Sequence, residues 1–483
     1  MASNYQDYYP GQWSFDQNDP SKDPKKPRRG GVSVGVFASV ICVVIAVTVL
    51  LTYTLTSALK RAEYSEKLLR QQKKIEQLQT DLKHQYSDFD MSSLDVLAAL
   101  FENYSYYANE LNEEELIHAV LKAYTAATGD RYATYYTQEE YAALLTENTG
   151  DRVGIGVSVI QSEITVSNQK HTVMEIILIF ENGSAAKSEL RVGDCIYSIK
   201  VDGEYKSMND LTYEQAMNAM LGDAGTVAEF KVYRPNGAGY DSVPFSIPRA
   251  PFESMSVTYE LCEQDPTVGI VQISEFDLTT PKQFKKAVMS LQESGVSHFI
   301  FDVRNNPGGD LQSIKAVLTY FLQRGDLILK SIDRNGKDYR SYYAEPILFT
   351  DEYAACNVSD SEIGMFADLD MVVLCNENTA SAAEVFTATM RDYGLAKVVG
   401  VKTFGKGIMQ TFFPLSNFGD FTGYIKMTTY AYVTACGITY HDIGIEPEPE
   451  YTVELSEKAK QYHFYVLPQS VDNQLQAAIA AFS

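Results

Sequence analysis

Residues 372–390 read VVLCNENTASAAEVFTATM. An apolar run, Val372–Cys375, stops at a polar loop, Asn376–Ala380, and a helix-forming segment continues through Met390. Strand, loop and helix in that order form the repeating unit of an α/β domain with a largely parallel sheet. The same order recurs upstream. Val268–Ile273 is a predicted strand, and Thr280-Pro281 after it is a helix start with Pro at the first helical position. Phe299–Val303 is another predicted strand. It leaves through Asn305-Asn306-Pro307-Gly308-Gly309 into an amphipathic helix that ends near Leu322.

The loop after Cys375 also carries a candidate nucleophile. Ser381 would open the helix, with Ala380, Ala382 and Ala383 leaving room around its hydroxyl. The free N–H groups of a helix's first turn can stabilise an oxyanion beside it. An ordinary Ser or Thr N-cap explains the same residues, with Thr379 equally placed. None of the six His sits in a catalytic signature, and no G-x-S-x-G surrounds a Ser. A different base is on offer in Lys402–Gln410, KTFGKGIMQ. Lys406 lies between two glycines, and Phe404, Ile408 and Met409 could desolvate its amine. Desolvation lowers a Lys pKa and leaves a neutral amine able to take a Ser proton. Gln410, four residues on, could orient that amine. Gly308 and Gly309, at a strand exit, allow backbone N–H groups to face a cleft, although a simple turn would use them too. Gly400–Lys406 fits G-x-x-x-x-G-K, but Gly407 replaces the Ser or Thr that would hold Mg²⁺, and a strand follows where a phosphate loop needs a helix.

Outside this core the pattern changes. From Arg152 to about Arg249, short alternating runs (Val153–Ile160, Thr172–Ile179, Asp194–Ile199, Ala228–Tyr233) and one helix near Thr212–Leu221 predict a small β-rich module. Asn112 and Glu115 predict a helix cap ahead of the apolar stripe Leu116, Ile117, Val120, Leu121 and Tyr124. Over residues 60–86, Leu68, Ile75 and Leu82 recur every seven, a weak coiled-coil seam or a solvated stalk. No charge interrupts the chain between Arg29 and Lys60. As a helix, Val32–Leu55 would span about 36 Å, enough to cross a bilayer. The run is longer than a cleaved signal peptide uses. Lys25, Lys26, Arg28 and Arg29 before it place the N-terminus in the cytoplasm and everything after Lys60 outside. A net charge of −23 argues against nucleic-acid partners. Six dispersed Cys with no C-x-x-C pair leave stability to apolar burial.

Three motifs together resemble the carboxy-terminal processing proteases, PDZ-containing serine peptidases. They are DVRNNPGG at Asp302–Gly309, NENTASAAE at Asn376–Glu384 and KTFGKGIMQ at Lys402–Gln410, with nucleophile and base 25 residues apart as in that family. The likeness extends from about Leu116 to Val453 and includes YHDIGIEP at Tyr440–Pro447 and the stretch Tyr132–Tyr141. Ala383 stands where the family often has a second Ser. The resemblance implies an α+β and α/β multidomain fold: a single transmembrane helix, a PDZ-like β module and a crotonase-like α/β protease core. It divides the chain into a cytoplasmic tail (1–30), transmembrane helix (31–59), helical stalk (60–150), PDZ-like domain (151–250), Ser–Lys protease core (251–455) and C-terminal segment (456–483). Ser381 becomes the nucleophile, Lys406 the base and Gln410 the residue orienting it. The N–H of Ala382 and of either Gly308 or Gly309 forms the oxyanion hole. Gly154, Ile155 and Gly156 resemble the loop that grips a peptide's C-terminal carboxylate. The implied activity is that of a membrane-anchored extracytoplasmic serine endopeptidase on a bacterial surface, acting on proteins with exposed C-terminal tails. It needs no metal or cofactor, allows a homodimer, and leaves the PDZ domain to gate the site. The rival reading is a membrane-tethered PDZ adaptor with a silent protease domain.

Overall fold

Two parallel strands ending side by side position everything that follows. The computed structural model describes residues 92–482, apart from 150, 238 and 420. The expected tail (1–30), membrane helix (31–59) and heptad segment (60–86) lie outside the described residues. Among those described, no helix is long and apolar enough to cross a membrane.

The first elements are helices α1 (Ser92–Tyr104) and α2 (Glu113–Ala127), strand β1 (Thr134–Tyr136) and helix α3 (Gln138–Thr149). Asn112 caps α2 as its sequence requires: its Oδ1 accepts from the N–H groups of Glu114 and Glu115, and its amide donates to the Glu115 carboxylate. Leu116, Ile117, Val120 and Tyr124 on this helix are exposed.

The β-rich module comprises β2 (Asp151–Gly154), β3 (Val157–Val166), β4 (Gln169–Ile179), β5 (Cys195–Val201), β6 (Glu204–Ser207), helix α4 (Tyr213–Met220), β7 (Val227–Pro235), β8 (Tyr240–Pro248) and β9 (Ala250–Glu253). Strands run in the order β3-β4-β5-β7-β8, with β6 beside β5. Ile176, Ile196, Ile199 and Phe230 fill its interior. Thr212 and Gln215 close a capping box at the start of α4. The run expected as one strand over Val153–Ile160 is two, because the chain turns at Ile155-Gly156. Gly156 takes φ +80°, and a Cβ there would lie 2.5 Å from the Cα of Gly183, so only glycine fits. Strands β2 and β9 pair with each other, Asp151 opposite Glu253, as a two-stranded ribbon.

The core domain holds β10 (Val257–Leu261), β11 (Val268–Ile273), α5 (Thr280–Glu293), β12 (His298–Asp302), α6 (Leu311–Thr319), β13 (Leu327–Ile332), β14 (Asp338–Tyr343), β15 (Asp370–Cys375), α7 (Ala382–Asp392), β16 (Ala396–Gly400), β17 (Ile408–Pro414), β18 (Tyr424–Thr434) and α8 (Asn473–Ala480). One sheet has the order β10-β11-β12-β15-β16, parallel except for β10. Alternation along the strands sends Phe299, Phe301 and Val373 to one face, with Phe284, Ile314, Val317 and Phe386 of α5, α6 and α7. Ile300, Val372 and Leu374 face the other side, under Leu475 and Ala478 of α8. A second, antiparallel sheet runs β1-β18-β13-β14, with β17 on β18. Strand β1 thus reaches past the whole β-rich module to pair with β18, Tyr135 opposite Ile425. The fold is a mixed α/β architecture.

The C-terminal segment is bolted on by charge. The buried Arg304 guanidinium, just beyond β12, donates from Nε (2.9 Å) and Nη2 (2.6 Å) to Asp302. It also donates from Nη1 (3.1 Å) and Nη2 (2.7 Å) to Asp472, the N-cap of α8. Removing Asp472 leaves Arg304 paired with Asp302 but takes away two charged hydrogen bonds and the N-cap of the last helix. Asp472→Ala should therefore lower unfolding stability in urea by about 2–4 kcal/mol. A loss below about 1 kcal/mol would mean that the cluster does not hold the segment in place.

Candidate active site

Strands β12 and β15 are parallel neighbours, so their exit loops meet. Asparagines lace the two loops together. The Asn305 N–H donates to Asn376 Oδ1 (2.8 Å), and the Asn376 and Asn378 amides donate back to Asn305 Oδ1 (3.0 and 2.8 Å). Thr379 is fully buried, and its hydroxyl donates to the Val303 carbonyl at 2.8 Å. The Ala380 N–H donates to the Asn306 carbonyl at 2.9 Å.

Ser381 follows at the N-cap of α7, with φ +55° and ψ −117°. A non-glycine residue held in that region is strained, and such strain persists only where surrounding contacts over-determine it. Here the contacts are close. A Cβ on Gly308 would lie 2.7 Å from Ser381 Cβ and 2.8 Å from the Ala382 nitrogen. The strand-exit glycines therefore lie directly against the candidate nucleophile. Gly308 spends its own N–H on Asn306 Oδ1, at 2.8 Å. The N–H groups of Gly309 and Ala382 donate to no described residue. Of the two glycines, Gly309 is thus the one with a donor to spare. It has φ +140°, and a Cβ there would fall on the Phe276 carbonyl.

The Lys402–Gln410 loop joins this point through one carboxylate. Glu384, fully buried in the first turn of α7, accepts from Ser381 N–H (3.0 Å) and Lys406 N–H (2.7 Å) on Oε2. Its Oε1 accepts from the Thr403 hydroxyl (2.6 Å) and Gly405 N–H (2.7 Å). Burial pushes its pKa up, against the pull of these four donors. Thr403 is in turn paired with Ile445 of the GIEP segment, N–H to carbonyl at 3.0 Å and Ile445 N–H to its hydroxyl at 2.7 Å.

Residues 267–451 match the profile of peptidase family S41. Two curated relatives are each named "Probable CtpA-like serine protease". The Staphylococcus epidermidis protein is 27% identical over 75% of this chain and 67% of its own length. The Staphylococcus aureus protein is 28% identical over 74% of this chain and 65% of its own. The chain thus spans about two thirds of the length of these relatives. Among solved structures it is similar to a photosystem II D1 C-terminal processing protease, at 20% identity and a TM-score of 0.42, over 74% of this chain and 89% of that one. The chain carries a peptidase family S41 segment over residues 267–451. It is a serine-type peptidase.

In this serine-type peptidase the Lys406 side chain is half-buried, and burial, then the neighbouring Lys426 cation, lower its pKa, while Glu384 acts in the opposite sense. Of the apolar neighbours expected to dry the amine, Ile408 is buried but Phe404 points outward and is exposed. Its place is taken by Tyr132, whose ring centroid lies 4.8 Å from Lys406 Nζ. No hydrogen bond joins Lys406 Nζ to Ser381 or to Gln410 among the described residues. The Gln410 amide donates instead to the Thr428 hydroxyl, at 3.3 Å. Gly154, Ile155 and Gly156 sit at the turn from β2 into β3, and no hydrogen bond ties them to the Ser381 loop. The G-x-x-x-x-G-K stretch is no phosphate cradle: Gly400 packs on the Cys375 carbonyl, and β17 follows.

Sequence reasoning quoted Glu384 without giving it a role, although Ser381 with Glu three residues on is capping-box spacing. Asn305, Asn306 and Thr403 were also passed over. Two expectations follow from this geometry. Gly308→Ala should push Ser381 and Ala382 out of register and cut turnover by about 100-fold, the scale of losing an oxyanion donor; steady-state kinetics on a labelled protein substrate would measure it. Lys426→Met removes a like charge, so it raises the Lys406 pKa and reduces the neutral amine at a given pH. The acidic limb of the pH–rate profile should move to higher pH, and an unmoved limb would exclude Lys406 as the titrating base.

Proposed function

We propose that this serine peptidase is a membrane-anchored, extracytoplasmic endopeptidase that engages exposed C-terminal tails of proteins through its β-rich module, a PDZ-like domain, and cleaves by a Ser–Lys mechanism. One observation carries the mechanism: a single carboxylate oxygen, Glu384 Oε2, accepts from the backbone N–H of both Ser381 and Lys406. Nucleophile and base therefore begin from adjacent backbone positions, and short side-chain movements bring amine and hydroxyl into reach. Neutral Lys406 takes the Ser381 proton as Oγ attacks the scissile carbonyl. The oxyanion forms against the N–H groups of Gly309 and Ala382. The resulting ammonium then protonates the leaving amine, and water hydrolyses the acyl-enzyme. Gln410 orients the amine once its amide leaves Thr428.

Membrane anchoring rests on the uncharged run Val32–Leu55 and the four cations before it. Tail capture rests on the glycine-lined turn at Gly154–Gly156, which opens the edge strand of the module's sheet. In the full chain, Ser381→Ala and Lys406→Ala should each abolish cleavage of fluorescein-labelled casein, and Gln410→Ala should reduce it. Full activity in either of the first two would overturn the mechanism. A fluorophosphonate probe that leaves Ser381 unlabelled, together with absent cleavage, would favour the silent adaptor. Peptides ending in a free carboxylate should bind more tightly than the same peptides amidated; equal affinity would remove the tail-capture role.

A further inference from the structure

The base has a neighbour outside the three motifs that carry the candidate chemistry. Lys406 Nζ makes no hydrogen bond to a described residue, yet it is half-buried. What it faces is the ring of Tyr132, 4.8 Å from the centroid. A desolvated ammonium over an aromatic face is held by the ring's quadrupole. The Tyr132 hydroxyl is itself buried and has no hydrogen-bond partner among the described residues. A phenol buried for packing alone ordinarily finds a partner for its O–H, so the position is held for the ring.

The segment that carries Tyr132 is pinned on both sides. Asp130 accepts from the Thr428 N–H (2.7 Å) and hydroxyl (3.0 Å), and that hydroxyl is the one that engages Gln410. Arg131 pairs with Asp442 (2.9 Å) and lies over the Tyr132 ring at 4.9 Å. The Asp442 N–H donates to the Gly405 carbonyl at 2.8 Å, next to the base. Residues 130–132 thus contact the base directly and its expected orienting residue through one hydroxyl.

We propose that Tyr132 is a positioning residue that seats the Lys406 ammonium in the resting peptidase, so that the amine must leave the ring face and give its proton to water before it can accept the Ser381 proton. The inference rests on the Ser–Lys reading and deepens it. The charged and titratable groups facing Lys406 are few. Glu384 lies on α7, Lys426 on β18, and Tyr132 with Arg131 on the segment before β1. Asp442 and His441 lie on the loop packed against Gly405 and Gly407. Of these, the ring and Glu384 favour the ammonium, Lys426 opposes it, and Asp442 and Arg131 pair with each other.

The test keeps shape constant and changes the ring's face. Phe and pentafluorophenylalanine are placed at position 132 of the full chain, with Tyr132→Leu as the variant lacking a ring. Hydrolysis of fluorescein-labelled casein is followed from pH 5 to 9. Removing a contact that favours the ammonium lowers the Lys406 pKa. Tyr132→Phe should keep the acidic limb in place. The pentafluoro ring and Leu should each move it to lower pH by about one unit, the scale of a desolvated cation–π contact. Activity below that limb should rise about tenfold. A limb that stays put with the pentafluoro ring overturns the proposal, whatever Tyr132→Leu does to folding. Movement in Tyr132→Phe equal to that in Leu would overturn it as well, by assigning the effect to the hydroxyl. Lys406→Ala separates the two readings: if that variant remains active, the Ser–Lys mechanism fails. If it is inactive while the ring series is silent, only the role of Tyr132 fails.

Discussion

A buried carboxylate with four donors is the hinge pin of this molecule. Glu384 is expensive to bury, and its ionised form is tolerable only while Thr403, Gly405, Lys406 and Ser381 all donate to it. The requirement works in both directions. The loops cannot drift without exposing an unpaired carboxylate to an apolar interior, and the carboxylate cannot be buried until both loops have arrived. Its distribution of bonds ties a helix start to a glycine-rich loop that would otherwise have no reason to stay near it.

The sheet makes that meeting possible. Parallel strands deliver their C-terminal ends to one edge, so the loops after β12 and β15 are neighbours whatever their length in sequence. The asparagine lattice of Asn305, Asn376 and Asn378 then fixes their spacing. Arg304, one residue upstream, transfers the same rigidity to the C-terminal segment through Asp472. Strain at Ser381 is sustained by this surrounding network together with Glu384 of the helix it caps.

Much of this was readable from the chain. Strand–loop–helix alternation gave β11, β12, β15 and their helices, because buried parallel strands are continuous apolar runs with turn residues at the ends. The Asn112 cap was legible because a cap is a local chemical pattern. The split of Val153–Ile160 was not, since it depends on Gly156 meeting Gly183, a contact between residues far apart in sequence. Phe404 was misread for the same reason. Proximity along the chain suggested that it would dry Lys406, whereas the ring that reaches the amine belongs to Tyr132, on the segment that leads into a strand pairing across the entire β-rich module. Sequence named the atoms of the candidate site; which neighbours press on them is a property of the assembled sheets.

That pairing has an architectural outcome. With β1 belonging to the core and β2 and β9 running side by side, residues 155–249 leave and return through one narrow double-stranded neck, Gly154 opposite Ala250. A substructure attached in this way behaves as a cassette. Its replacement by a shorter or longer one leaves the core's strand register intact, so the module can vary between relatives while the loops around Ser381 stay unaltered.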